Sequence, residues 1–316
     1  MPAAVLAVIA PVFIVIAVGW LSARTGYVAA GTTQVLGGFV LRLALPALVF
    51  TALTAGPDRR LDYGYMLAYA AATFATFAIG LLLARRAGKP LSEGVVWGLG
   101  MSGTNSGFMG YPIAALVVGP AAATVLAQNM VVENLLLLPF AMVLGDSSRG
   151  ARGTLGATLR GIAGNLLTNP LLLAIAAGLA VAGLGITLPA PLAKPVTLIG
   201  SVAGPLALFV VGATMAELGR GGTRGQILAI VAGKLVLHPL LMLLALLLVP
   251  GLDPAQRAGG IIFCAAPMMS IYAILGARFG RPGLSAAALL AATVASALTM
   301  PVLIALLDRV GWVTIG

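Results

Sequence analysis

Apolar runs of about twenty residues recur from one end of this 316-residue chain to the other, and nothing else in it restricts the fold as much. A hydrocarbon layer takes roughly 20 helical residues to cross, and inside it every backbone polar group needs a partner within the protein. The chain is 60% hydrophobic and 8% charged, with a mean hydropathy of +1.10. A soluble domain carries about 25% charged residues. The composition therefore specifies an all-α polytopic membrane protein. Turn signals divide it into ten predicted spans, at about 3–22, 33–54, 64–84, 93–118, 121–144, 161–183, 194–217, 225–249, 256–279 and 284–307. The first run has no basic residue before Arg24 and reads as a retained helix rather than a cleaved leader.

A net charge of +10 could point to nucleic acid, but the basic residues are scattered among short loops. The bilayer is the expected partner, and no nucleic-acid partner is expected. Assigned alternately, the loops place eleven Lys or Arg residues on one side and five on the other. The positive-inside rule makes the richer side cytoplasmic, which predicts a multi-pass protein of the inner (plasma) membrane with both termini outside. Cys264 is the single cysteine, so an intrachain disulfide and a Cys-based zinc cluster are both ruled out. No metal site or organic cofactor is expected; coupling to a proton, coupling to a sodium ion and an uncoupled mechanism are all open.

The two halves resemble one another. Pro11 and Pro46 lie 35 residues apart, as do Pro170 and Pro205. Gly19 follows Pro11 at the spacing by which Gly178 follows Pro170, and Pro46-Ala-Leu-Val-Phe matches Pro205-Leu-Ala-Leu-Phe. The offset is 159 residues early and 162 late, where Glu133 to Pro139 aligns with Ala295 to Pro301. One transmembrane domain, 1–316, thus reads as two repeats, 1–150 and 160–316, joined by the polar connection 145–160. Five spans per repeat is an odd number, so the second repeat must enter the membrane upside down, a recurrent plan of secondary transporters.

Thr104-Asn-Ser-Gly-Phe-Met-Gly-Tyr-Pro112 interrupts the fourth span. Gly107, Gly110 and Pro112 loosen the backbone and remove an amide donor. The corresponding ninth span contains Pro267-Met-Met-Ser270-Ile271 well inside an apolar segment. Two discontinuous helices crossing near the midplane are expected. Each half-helix that starts at a break aims free amides and a positive dipole end at the crossing, where they favour an anion such as a carboxylate. Asn105, Ser106, Tyr111 and Ser270 can add polar contacts, with Asn105 equally suited to capping the broken backbone. Gly103 and Gly107 form a small-residue pair suited to close packing.

Charge inside a membrane is costly and faces the interior or a partner. Glu133 and Asn134 lie in the fifth span, Lys234 and His238 one turn apart in the eighth, and Arg42 in the second. Functionally, Arg42 or Lys234 would neutralise an anionic substrate while Glu133 or His238 carries a coupling proton. The plainer roles are a Glu133–Lys234 ion pair, snorkelling of Arg42 or Lys234, and a hydrogen-bonded packing histidine.

Residues 105–112, 168–174 (Thr-Asn-Pro-Leu-Leu-Leu-Ala), 204–213, Lys-Leu-Val-Leu-His-Pro (234–239) and Ala-Ala-Pro (265–267) together resemble the auxin efflux carrier family over essentially the whole chain. The resemblance implies ten helices in a 5+5 inverted repeat with crossed fourth and ninth helices. It also implies a scaffold of spans one, two, six and seven at a homodimer interface. It places Asn105, with Gly107 and Pro112, at one crossover and Pro267, Met269, Ser270 and Ile271 at the other. Ser270-Ile271 stands where many relatives have Asn, and span 64–84 lacks the charged pair of plant carriers. A bacterial carrier of small mono- or dicarboxylates fits better than an auxin carrier. A sodium/proton antiporter-like exchanger of the same architecture is the nearest alternative, although no span interior holds an aspartate. A transporter-like sensor is another. An intramembrane enzyme would need convergent catalytic groups that one His, one Cys and no in-span Asp do not supply. The sidedness predicts that a C-terminal tag is labelled in intact cells; labelling only after the cytoplasm is opened would reverse the orientation.

Overall fold

The computed structural model of the protein describes residues 3–29, 31–55, 61–147, 164, 167–217, 222–269 and 271–314. Among the described residues every regular element is a helix. In chain order they are α1 (Ala3–Arg24), α2 (Thr32–Thr54), α3 (Tyr63–Arg86), α4 (Leu91–Ser102), α5 (Tyr111–Val118), α6 (Ala121–Ser147), α7 (Pro170–Gly183), α8 (Ala190–Ala216), α9 (Arg224–Leu247), α10 (Pro254–Ala265), α11 (Tyr272–Arg278) and α12 (Pro282–Arg309). Helices α2, α3, α6, α8, α9 and α12 are each long and apolar enough to cross a bilayer, and Ile9–Arg24 and α7 are shorter apolar helices. The protein is a multi-pass membrane protein. Most of the predicted 145–160 connection lies outside the described residues, as do Ser270 and the predicted helix start near 161.

Helix starts follow local chemistry. The Asp62 carboxylate accepts from the Tyr65 amide at the head of α3. Asn169 and Asp253 each cap a helix whose first residue is proline, Pro170 or Pro254, where no amide is lost. Thr223 and Gln226 form a capping box at α9.

Four prolines inside the spans have a second effect, which Pro11, Pro195 and Pro301, also inside helices, do not share. Val40–Ala44, Ser106–Gly110, Glu133–Leu137 and Gly233–Leu237 are π-turns. Each is followed by one residue and then a proline: Pro46, Pro112, Pro139 and Pro239. The residue before each proline donates to the carbonyl five positions back, as Leu138 does to Glu133 and His238 to Gly233. A proline offers no amide to the carbonyl four residues earlier, and its ring collides with that carbonyl. A widened turn relieves the collision. Such bulges cluster at functional sites, and these four contain Arg42, Ser106, Glu133 and Lys234.

The helices sort into two groups. In the first, α1 packs along α8, and α2 packs on α7 and α8. The backbones touch: a Cβ on Gly19 would lie 2.1 Å from the Phe209 carbonyl oxygen, and one on Gly212 would lie 1.8 Å from that of Ile16. Gly178 likewise admits Leu53, with the Phe50 backbone beside it. The second group joins α3, α4, α6 and α9–α12 and encloses a buried core that includes Phe77, Trp97, Met101, Tyr272 and Phe279.

Polar staples gather the connections on two faces. Glu93 is buried, accepts from Gln226 (2.8 Å), pairs with Arg281 (2.6 Å) and lies 3.9 Å from Lys89. Arg278 pairs with Asp146 at 2.8 Å. These contacts bring the starts of α4, α9 and α12 together with the ends of α6 and α11. At the other face the Asp62 amide donates to Gln128, and Arg257 lies over Trp312. Gly212→Ala would push two helix backbones apart and is expected to cost about 3 kcal/mol or more. Gly38→Ala, where a Cβ meets nothing within 4 Å, should stay within about 1 kcal/mol of the parent. Thermal unfolding in detergent compares the two; equal midpoints would refute the close approach.

Candidate functional site

Both predicted breaks are present. The chain leaves α4 at Ser102, runs extended through Gly103, and re-enters helix at the π-turn beginning with Ser106. The second break separates Ala265 from Tyr272. They meet directly: the Asn105 amide donates to the Pro267 carbonyl at 2.8 Å. The Asn105 carbonyl then accepts from the amides of Met109 (3.1 Å) and Gly110 (2.9 Å), which starts the next half-helix. Pro267 fits because it cannot continue α10, and its carbonyl, in a non-helical stretch, is available to the Asn105 amide. Glycines admit the neighbours. A Cβ on Gly103 would meet Met269, one on Gly107 would meet Leu45 of α2, and one on Gly110 would meet Phe263. The predicted small-residue pair therefore serves packing at the break rather than along one continuous helix.

Two charged side chains flank this crossing. Lys234, fully buried on the π-turn of α9, donates through Nζ to Thr104 Oγ1 at 2.7 Å. It also lies 2.9 Å from Nδ1 of His238, whose Nε2 is 3.2 Å from Thr73 Oγ1. Glu133, buried on the π-turn of α6, accepts at Oε1 from Tyr69 (2.5 Å) and from Ser106 (2.9 Å). Lys234 and Glu133 thus engage Thr104 and Ser106, the residues on either side of Asn105. No salt bridge joins them; the ion pairs among the described residues are those at Glu93 and Asp146. The arrangement complements the backbone. Lys234 lies just beyond the C-terminus of α4, where a cation is favoured, and Glu133 lies at the N-terminal end of the next half-helix, where an anion is favoured.

The structure collects Asn105, Ser106, Gly107, Pro112, Pro267, Met269, Glu133, Lys234 and His238 in one buried region. Tyr111 is half-buried, and Ile271 is 44% exposed beside the crossing. Arg42 is exposed on α2. Asn134 donates to the Met130 carbonyl and accepts from Asn169 at the head of α7. Ser270 falls outside the described residues.

Sequence reasoning missed the face of α3 that holds the charged residues. Tyr65, Tyr69, Thr73 and Thr76 are buried along it, and Tyr65 donates to Asn129 at 2.8 Å. Spacing of three to four residues was the available signal. Attention to charge alone passed over it, because the segment contains none. Cys264, at the end of α10, is fully buried.

Two comparisons bear on this geometry. Residues 4–153 and 158–304 match the profile of a family described as membrane transport protein. A protein of Rhizobium meliloti (strain 1021), described as a candidate malonate transporter, is 30% identical over 275 residues, covering 85% of each chain. Both descriptions are of transporters, not enzymes.

The Lys234–Thr104 bond is a charged donor on a neutral acceptor in a buried place, a class that contributes about 1.5–3 kcal/mol. A double-mutant cycle of Lys234→Met and Thr104→Val, read by thermal unfolding, should return a coupling energy of that size. Additive effects would mean the two side chains do not interact.

Proposed function

Because this chain belongs to the auxin efflux carrier family of membrane transport proteins, we propose that it is a secondary active transporter of small organic anions, mono- or dicarboxylates, working by alternating access at the crossing of the two breaks. The observation that carries the reading is the Asn105–Pro267 backbone bond, which joins two broken helices at a buried point flanked by Lys234. Backbone freed inside a membrane is tolerated where it lines a site, and half-helix amides suit carboxylate oxygens. The relative described as a candidate malonate transporter supports a carboxylate substrate.

The inverted-repeat reading has support in the packing. Gly19 against Phe209 and Gly178 against Phe50 are the same contact with the halves exchanged, at the 159-residue offset of the sequence match. On this reading the ten predicted spans form two repeats of five. Helices α1, α2, α7 and α8 are the scaffold, with a face for a homodimer, and α3–α6 with α9–α12 are the moving bundle. The crossing is closed here, with Asn105 4% exposed. Substrate reaches it when the bundle shifts against the scaffold, along the contacts Gly107–Leu45 and Gly204–Pro112. The face stapled by Glu93 and Asp146 carries the basic-rich loops and is the cytoplasmic one.

Uptake and counterflow of a panel of radiolabelled mono- and dicarboxylates into proteoliposomes test the proposal. At least one should exchange, and Asn105→Ala should slow it about tenfold or more. Normal transport by Asn105→Ala would move the site elsewhere. Proton-coupled sodium flux without anion dependence would make the protein a cation exchanger, and binding without counterflow would make it a sensor.

A further inference from the structure

Resting on the carboxylate-transporter reading, we propose that the crossing carries its own cation and takes up one proton with each substrate anion: Lys234 is the resident positive charge and Glu133 is the proton site. His238 is a positioning residue. As an ammonium Lys234 has only donors, so the His238 Nδ1 that faces it at 2.9 Å must accept. The imidazole is then the neutral tautomer, with its proton on Nε2 directed at Thr73. A second proton on His238 would place an N–H donor against an ammonium donor. This geometry removes His238 as the proton carrier and leaves Glu133.

Glu133 also occupies the place a substrate wants. Its carboxylate already sits at the positive end of the half-helix that starts at Ser106, held there by Ser106 itself and by Tyr69. A second carboxylate brought to the same helix end meets like charge in a dry interior. Protonation of Glu133 forms an O–H bond and removes that charge. Lys234 is then uncompensated and holds the incoming anion. When the anion leaves, the proton leaves Glu133 toward the same side. The empty bundle returns with one positive and one negative charge, so the return is electroneutral. No metal cation is needed, because Lys234, fixed by Thr104 and His238, supplies the charge one would bring. Among the described residues the titratable groups facing Glu133 are Tyr65 and Tyr69 of α3, Lys234 of α9 and Cys264 of α10, with His238 beyond Lys234; the cation among them is Lys234. The cycle moves no net charge for a monoanion and one negative charge for a dianion.

The test uses the whole protein in proteoliposomes, with radiolabelled malonate as the first probe and the membrane potential clamped at zero. Counterflow by the parent of malonate, or of another member of the carboxylate panel, is measured first with and without sodium; its absence in both conditions sinks the carboxylate reading and this inference with it. If counterflow is present, an interior one pH unit more alkaline should drive about tenfold accumulation without sodium, since one coupled proton converts one pH unit into a factor of ten. Glu133→Gln, a neutral mimic of the loaded state, should lose the pH-driven accumulation, and whatever counterflow it retains should not vary with pH. Tyr69→Phe removes a donor to the carboxylate, which should move half-maximal uptake to higher pH. A requirement for sodium, unchanged accumulation by Glu133→Gln, or an unmoved pH profile in Tyr69→Phe would each overturn the proposal while leaving the transporter reading intact.

Discussion

A backbone that stops being helical inside hydrocarbon must find partners for its amides and carbonyls within the protein, and the rest of this structure is arranged around that requirement. The two breaks satisfy each other, through the Asn105 amide and the Pro267 carbonyl. What they leave over is electrostatic, because a half-helix ends with carbonyls and the next begins with amides. Lys234 answers the first and Glu133 the second. Neither side chain would be stable at full burial without a complementary dipole and hydrogen-bond partners. Their separation keeps both charges available, whereas a direct ion pair would have spent each on the other.

Proline places these groups. In four spans a proline two residues beyond a π-turn shifts the hydrogen-bond register locally. Ser106, Glu133 and Lys234 lie in or beside the first residue of such a turn and face the crossing. The same device in α2 carries Arg42 to an exposed position, so a π-turn reorients a side chain without determining what it meets. Glycine has the complementary role. At Gly19 and Gly212 it lets helix backbones touch, which makes α1 and α8 a close-packed pair.

The membrane class and both breaks were legible in the chain, because hydrocarbon penalises exceptions severely enough that each apolar run, proline and in-span charge has meaning. Glu133, Lys234 and Asn105 stood out for that reason, and they do converge. Tyr65, Tyr69 and Thr73 did not stand out. Tyr and Thr are as much at home in an apolar core or at an interface as in a polar cluster, so their types carry no comparable signal. The face of α3 that receives Glu133 and His238 became visible only with its neighbours in place.

The sequence by itself determined that the chain spans the membrane, where its helices lose continuity and which ionisable groups must be accommodated inside, since these follow from the local cost of polar groups in an apolar medium. Only the tertiary structure decided which groups share a site. It left Arg42 exposed, joined Asn134 to Asn169, set Lys234 and Glu133 on opposite sides of Asn105 without a salt bridge between them, and paired His238 with Lys234. Those outcomes depend on distances between helices far apart in the chain, and such distances are set by how glycine and proline let the helices approach, not by any one segment's composition.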